Sequence, residues 1–205
     1  MRIDDNLKLV IPIRTETVET VHEDGKKEDV ERTVIHAYHT PISREVFEVN
    51  YRALSETKAR IFGKGTAYAA SSGPMIASLT FREIAKDIAT ERGEKDPDTS
   101  LLMEIRRLTT VLAPTASGYE LLPVDIAISR EIIDPDEWRE TESFLVFFTS
   151  LFSMTRKAHR KEIGESLAGI LRGSITSFPP MEYLDSLKTS TTEKAIPETR
   201  SSVPS

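Results

Sequence analysis

The chain has 205 residues, 39% of them hydrophobic and 29% charged, with 33 acidic against 27 basic side chains and a net charge of −6. That size and balance fit a soluble globular domain with appendages, and they argue against general nucleic-acid binding, which rests on a basic surface. Without a single cysteine, disulfides, thiol nucleophiles and cysteine metal sites are excluded outright.

The first residues, MRIDDNLKLVIPI, place two acids before the apolar run and offer no small-residue cleavage site, so they do not read as a signal peptide. Leu7 to Ile13 is short, β-branched and interrupted by Pro12, which predicts an edge strand. Val30 to Tyr38 predicts a second strand, and Asp24-Gly25 between them is a hairpin signal with a charged tip. Residues 1–40 are therefore expected to form an N-terminal β-hairpin packed on a helical domain over 41–188.

Ile42-Ser43 reads as a staple residue and an N-cap ahead of a helix whose stripe is Phe47, Tyr51, Leu54 and Ile61, ended by Gly63 and Gly65. A second helix is expected over Pro74–Arg92, with Ile76, Leu79, Ile84 and Ile88 inward, followed by a loop over Gly93–Pro97. Leu101, Ile105, Leu108 and Leu112 predict a third helix over Leu101–Leu112. Pro114–Gly118 reads as a loop and Val124–Arg130 as a short helical turn.

The chain is expected to be organised around Thr141–Met154, TESFLVFFTSLFSM. Five consecutive apolar residues, Phe144 to Phe148, pass around the whole circumference of a helix and leave no polar face. Asp134, Pro135 and Glu137 supply an N-cap, a first-position proline and a capping box, so the helix is expected from about Asp134 to about Lys157. The run is too short to span a membrane, which takes roughly 20 apolar residues. Burial in the chain's own core is the favoured reading; the alternative makes Phe144, Phe147, Phe148, Leu151 and Phe152 a partner-binding surface. Ile163–Leu171 predicts a further helix weakened by Gly164 and Gly169, and Met181–Leu187 a last short one after the Phe178-Pro179-Pro180 break. Thr189–Ser205 has eight Ser or Thr and no aromatic, and is expected to be a disordered tail. The fold class is thus expected to be mainly α, with β structure only at its edge.

Catalytic patterns fail one by one. Gly63-Lys64-Gly65-Thr66 departs from a phosphate loop, because Gly65 separates the lysine from the threonine. Gly164-Glu165-Ser166-Leu167-Ala168 misses the nucleophile elbow at its last position. His36 and His39 fall on opposite faces of a strand, with no carboxylate pair to complete a metal site. Glu83, Asp87 and Glu91 read as a solvated helix face. Arg156-Lys157-Ala158-His159-Arg160-Lys161 is the one basic cluster, read as lying at the C-terminal end of the central helix, where the dipole favours cations. No enzyme activity and no cofactor are expected.

Four blocks in order, Asn6–Ile13 (NLKLVIPI), His39–Phe47 (HTPISREVF), Leu101–Pro114 (LLMEIRRLTTVLAP) and Ser143–Met154 (SFLVFFTSLFSM), together resemble the tail assembly chaperones of long-tailed, lambda-like bacteriophages. The likeness covers most of Asn6–Leu187 and departs at the charged insertion Val18–Arg32. The resemblance implies a non-enzymatic factor in the host cell cytoplasm that binds and solubilises the tape measure protein and is absent from the mature virion. It implies the tape measure protein, and the tail tube protein through a frameshifted longer product, as partners, with weak self-association and neither nucleic acid nor membrane. The alternatives are a structural tail or tail-completion protein retained in the virion, and a host helical adaptor. The family supplies no residue-level binding motif.

Overall fold

The computed structural model describes residues 7–21, 27–115 and 118–185. The expected hairpin tip at Asp24-Gly25 and the expected tail at Thr189–Ser205 lie outside them, as do the last residues of the Met181–Leu187 helix.

Two long strands come first, β1 (Lys8–Val21) and β2 (Lys27–His39), paired antiparallel from Leu9↔His39 to Val21↔Lys27. Then follow α1 (Arg44–Phe62), α2 (Thr66–Ser71), α3 (Gly73–Arg92) and α4 (Ser100–Arg107). A second hairpin, β3 (Thr109–Thr115) and β4 (Gly118–Pro123), leads to α5 (Val124–Ser129) and α6 (Pro135–Phe152). The chain closes with α7 (Arg160–Ile170), β5 (Ser174–Thr176) and a helical turn over 180–185. The strands form one antiparallel sheet in the order β4-β3-β2-β1-β5. The fold is therefore α+β, and the mainly α expectation is corrected: the sheet is a full layer, not an edge ornament.

The error lies chiefly at residues 109–123. Leu101, Ile105, Leu108 and Leu112 fit helical spacing, but the β-branched run Thr109-Thr110-Val111 ends α4 at Arg107 and pairs with β2. Alternation then buries Val111 and Ala113 on the helix side and Leu112 on the other. β1 is likewise not an edge strand, because β5 adds to it at Lys8–Val10. Pro12 survives there because β5 stops short of it, and the β1–β2 register shifts between Pro12 and Arg14.

The helices cover one face of the sheet, with α6 at the centre, packed on α1, α3 and α4. Ser43 caps α1, its side chain accepting the Val46 N–H at 3.3 Å. Asp134 and Glu137 form the expected capping box on α6. That helix ends at Phe152, short of Lys157, and Lys157–His159 is a separate 3-10 turn. The inward stripe of α3 is Ala77, Phe81, Ile84 and Ile88, so Leu79 faces out at 63% exposure. Small residues at Ala77, Ser78 and Ala85 let α3 approach its neighbours closely, and Ser143 of α6 accepts the Ser78 N–H at 3.2 Å. On α1, Asn50, Ala53 and Thr57 take the buried face that the spacing had assigned partly to Tyr51, which is 56% exposed.

The other face of the sheet is covered by the C-terminal segment. Val10, Tyr38 and Leu112 meet Leu184, with Tyr119 and Tyr183 at the margin. The Tyr38 hydroxyl donates to the Phe178 carbonyl at 2.6 Å, and the His36 ring meets Tyr183 edge-on at 6.3 Å. Gly173 makes β5 possible: a Cβ there would collide with the Val10 carbonyl oxygen and stand 2.8 Å from Ile11 Cγ2.

Candidate functional site

The apolar run of α6 is interior. Phe147 and Phe148 are each 1% exposed and Phe152 5%, while Phe144 and Leu151 are partly buried against the same core. Phe148 stacks on Phe152 with centroids 4.7 Å apart. All-round hydrophobicity is used up by neighbours on every side: α1, α3 and α4, then β1 and α7. As placed, these five residues hold the domain together and offer a partner little surface.

A broad concavity lies elsewhere. An open groove of about 810 Å³ lies where α4 meets β3, β4 and the start of α5. Met103, Leu121, Pro123 and Pro180 give it apolar walls, and Arg106 and Arg107 a cationic rim. Met103 is 71% exposed and Leu121 36%. The segment that contributes Pro180 also exposes Phe178 and Met181. β4 is the edge strand of the sheet at this point, so the groove borders an edge as well as a helix.

The rim is held in place by pairing. Arg106 reaches Asp125 of α5 at 2.5 Å and lies over the Trp138 ring at 5.6 Å, joining α4, α5 and α6. Arg107 holds Glu104 through two hydrogen bonds of 2.7 Å, which keep the Glu104 carboxyl below its ordinary pKa. Sequence periodicity missed the groove because it placed Leu108 to Leu112 in a helix and Pro114–Gly118 in a loop. Met103 was the available signal, an apolar residue off the Leu101–Ile105 stripe.

The remaining motifs resolve into structure. Gly63–Thr66 is the turn between α1 and α2, with the Lys64 ammonium 5.0 Å from the Tyr68 ring centroid. Gly164 and Ser166 lie within α7, and the Ser166 hydroxyl donates to the Glu162 carbonyl. Glu83, Asp87 and Glu91 form an ion ladder between helices, Arg60 meeting Asp87 at 2.7 Å and Arg52 meeting Glu91 at 2.6 Å. His39 is fully buried on the helix side, where its Nδ1 lies 3.0 Å from Thr109 Oγ1. The Thr109 hydroxyl donates to the Ile105 carbonyl, so it accepts from His39, whose Nε2 has no partner. Burial pushes His39 down to about 3 and His36, on the opposite face, to about 4. Both rings are neutral packing elements at pH 7.

Among the described residues no group of three or more metal-ligating side chains converges, and no helix is long and apolar enough to cross a membrane. Comparison with family models, with curated proteins and with solved structures gives no match for this chain.

Proposed function

We propose that this protein is a tail assembly chaperone of the long-tailed phage type, which holds an apolar helical stretch of the tape measure protein in the groove of Met103, Leu121, Pro123 and Pro180 and keeps it soluble before tail assembly in the host cytoplasm. One observation carries the site: exposed Met103 and Leu121 meet in an open groove of about 810 Å³. The four resembling sequence blocks supply the client. A long amphipathic helix aggregates through its stripe, and a groove that covers a few turns of that stripe prevents this without tight binding. Methionine suits such a wall because its flexible side chain adapts to varied apolar partners.

Co-expression with the tape measure protein encoded nearby is the test. Wild-type chain is expected to keep the client soluble, and a Met103→Glu, Leu121→Glu variant to lose that ability with its own melting temperature unchanged. Client solubility retained by the variant would remove the groove from the proposal. Stoichiometric presence of the protein in purified virions would replace the chaperone by a structural tail component.

A further inference from the structure

The groove has a corner beneath it. α4 ends at Arg107 and β3 begins at Thr109, so Leu108 alone joins helix to strand, at φ −83° and ψ 4°. The two walls leave this corner in different directions. Met103 stands on α4, and Leu121 on β4, which is paired to β3. The helix from Met103 to the corner is roughly 7 Å long. A tilt of about 10° at Leu108 therefore moves that wall by roughly 1 Å, beyond what a preorganised site tolerates.

Hydrogen bonds hold the corner from below. The Thr40 N–H donates to the Leu108 carbonyl at 3.0 Å, and the Thr109 hydroxyl to the Ile105 carbonyl at 2.7 Å. His39, opposite Thr109 in the β2–β3 ladder, donates from Nδ1 to the same hydroxyl at 3.0 Å. A threonine chooses among side-chain rotamers, and not all of them reach a carbonyl one turn back. The ring selects the one that does. On the outside Arg106 ties α4 to Asp125, but that aspartate is 75% exposed and water weakens the pair.

His39 does this at a cost to stability. It is 0% exposed, and with its proton on Nδ1 the Nε2 is an acceptor with no partner among the described residues. An unmatched buried acceptor destabilises a fold, and a leucine of similar volume fills the space without one. Packing alone thus does not account for a histidine here. Thr109 connects the ring to the groove, for it is 2% exposed and lines the groove at its floor.

We propose that His39 is the positioning residue of the groove, fixing through Thr109 the separation of the Met103 and Leu121 walls on which client binding depends. Its geometry stands on the bonds just described; its purpose rests on the client reading of the groove.

Spin labels on the two walls test it. The chain has no cysteine, so Met103→Cys with Leu121→Cys gives two unique labelling sites, and pulsed electron resonance reads the distance distribution between them. In that background His39→Leu and Thr109→Val are each expected to broaden the distribution about twofold. His39→Asn, whose amide nitrogen can stand where Nδ1 does, is expected to restore the parental width. Gly73→Ala crowds Ile61 and Phe147 instead, and should leave the width unchanged. The melting temperature of unlabelled His39→Leu should equal or exceed wild type, because the unmatched acceptor is gone. In co-expression the same variant should keep at least about threefold less tape measure protein soluble than wild type. An unchanged width in His39→Leu or Thr109→Val overturns the proposal, as do a width that His39→Asn fails to restore and equal broadening by Gly73→Ala. A lower melting temperature for His39→Leu also overturns it, since the ring is then an ordinary part of the core. If His39→Leu widens the groove yet keeps the client soluble, the Met103→Glu, Leu121→Glu chain separates two failures. Client lost there overturns the positioning role alone, and client retained there removes the groove reading and the positioning role together.

Discussion

Arg14 and Glu137 form a bidentate pair, Nε to Oε1 and Nη2 to Oε2, both at 2.7 Å, that ties β1 to the first turn of α6. The same carboxylate accepts the Asp134 N–H at 2.9 Å to complete the capping box. One side chain thus finishes the helix and fastens the long hairpin at the point where its third-strand support has ended. The pair is part-exposed, so solvent takes back much of its strength. Arg14→Ala is expected to cost about 1 kcal/mol in urea denaturation, and Glu137→Ala about 2, because it removes the box as well. Equal losses for the two would show that the box contributes nothing.

Stability should fall as the pH drops from 6.5 toward 5. His36 and His39 have folded-state pKa values depressed to about 4 and about 3 by burial, while the unfolded chain protonates near 6.5. The unfolded state therefore binds more protons below 6.5, and stability present above that value is lost as the pH falls. Each ring accounts for about 2 kcal/mol by pH 5. Thermal melts of His36→Phe, which keeps an aromatic ring against Tyr183, should show a shallower decline between pH 6.5 and 5 than wild type. Parallel slopes would mean that His36 titrates normally in the folded protein.

Gly73 and Gly169 should respond oppositely to alanine. At Gly73 a Cβ would stand 2.8 Å from Ile61 Cγ2 and 2.9 Å from Phe147 Cε2, inside the core. Gly73→Ala should therefore lower stability by about 1–3 kcal/mol through overpacking. At Gly169, exposed on α7, a Cβ meets nothing within 4 Å, and Gly169→Ala should raise stability by about 0.5 kcal/mol. Chemical denaturation of both decides it, and a neutral Gly73→Ala would mean that α3 can withdraw from α6.

Phe148→Ala should cost about 3–5 kcal/mol, since it empties a fully enclosed volume and removes the stack on Phe152. A loss below about 1 kcal/mol would show that the site collapses freely or is open to solvent.

Much of the helical layer was legible because its signals are local. Ser43, the Asp134–Glu137 box and the Gly93 stop each act within one turn, and Gly93 does adopt the left-handed conformation at φ 70°. The sheet was not, because strand identity there depends on partners far away in sequence. Leu108 to Leu112 satisfies both periods, and only the edge of β2 resolves the tie in favour of a strand. β5 is three residues long and carries almost no pattern. The candidate groove was hidden for the same reason, since it exists only once β4 lies beside α4. Phe144 to Phe152 was conspicuous because it is apolar on every side, and the fold buries most of it in its own interior.

The pairing of Leu9 with Ile175 has a consequence for how this protein is born. β1 leaves the ribosome early, but one of its two neighbours is made 166 residues later. At roughly 5–20 residues per second, β1 waits about 8–33 seconds for β5. Through that interval Leu9 and Ile11 lack part of their final cover, and the segment that will close the far side of the sheet over Val10 and Tyr38 is still unmade. Completion of the sheet thus comes late in synthesis, and a chain stalled before Gly173 would carry the helical layer without a finished floor.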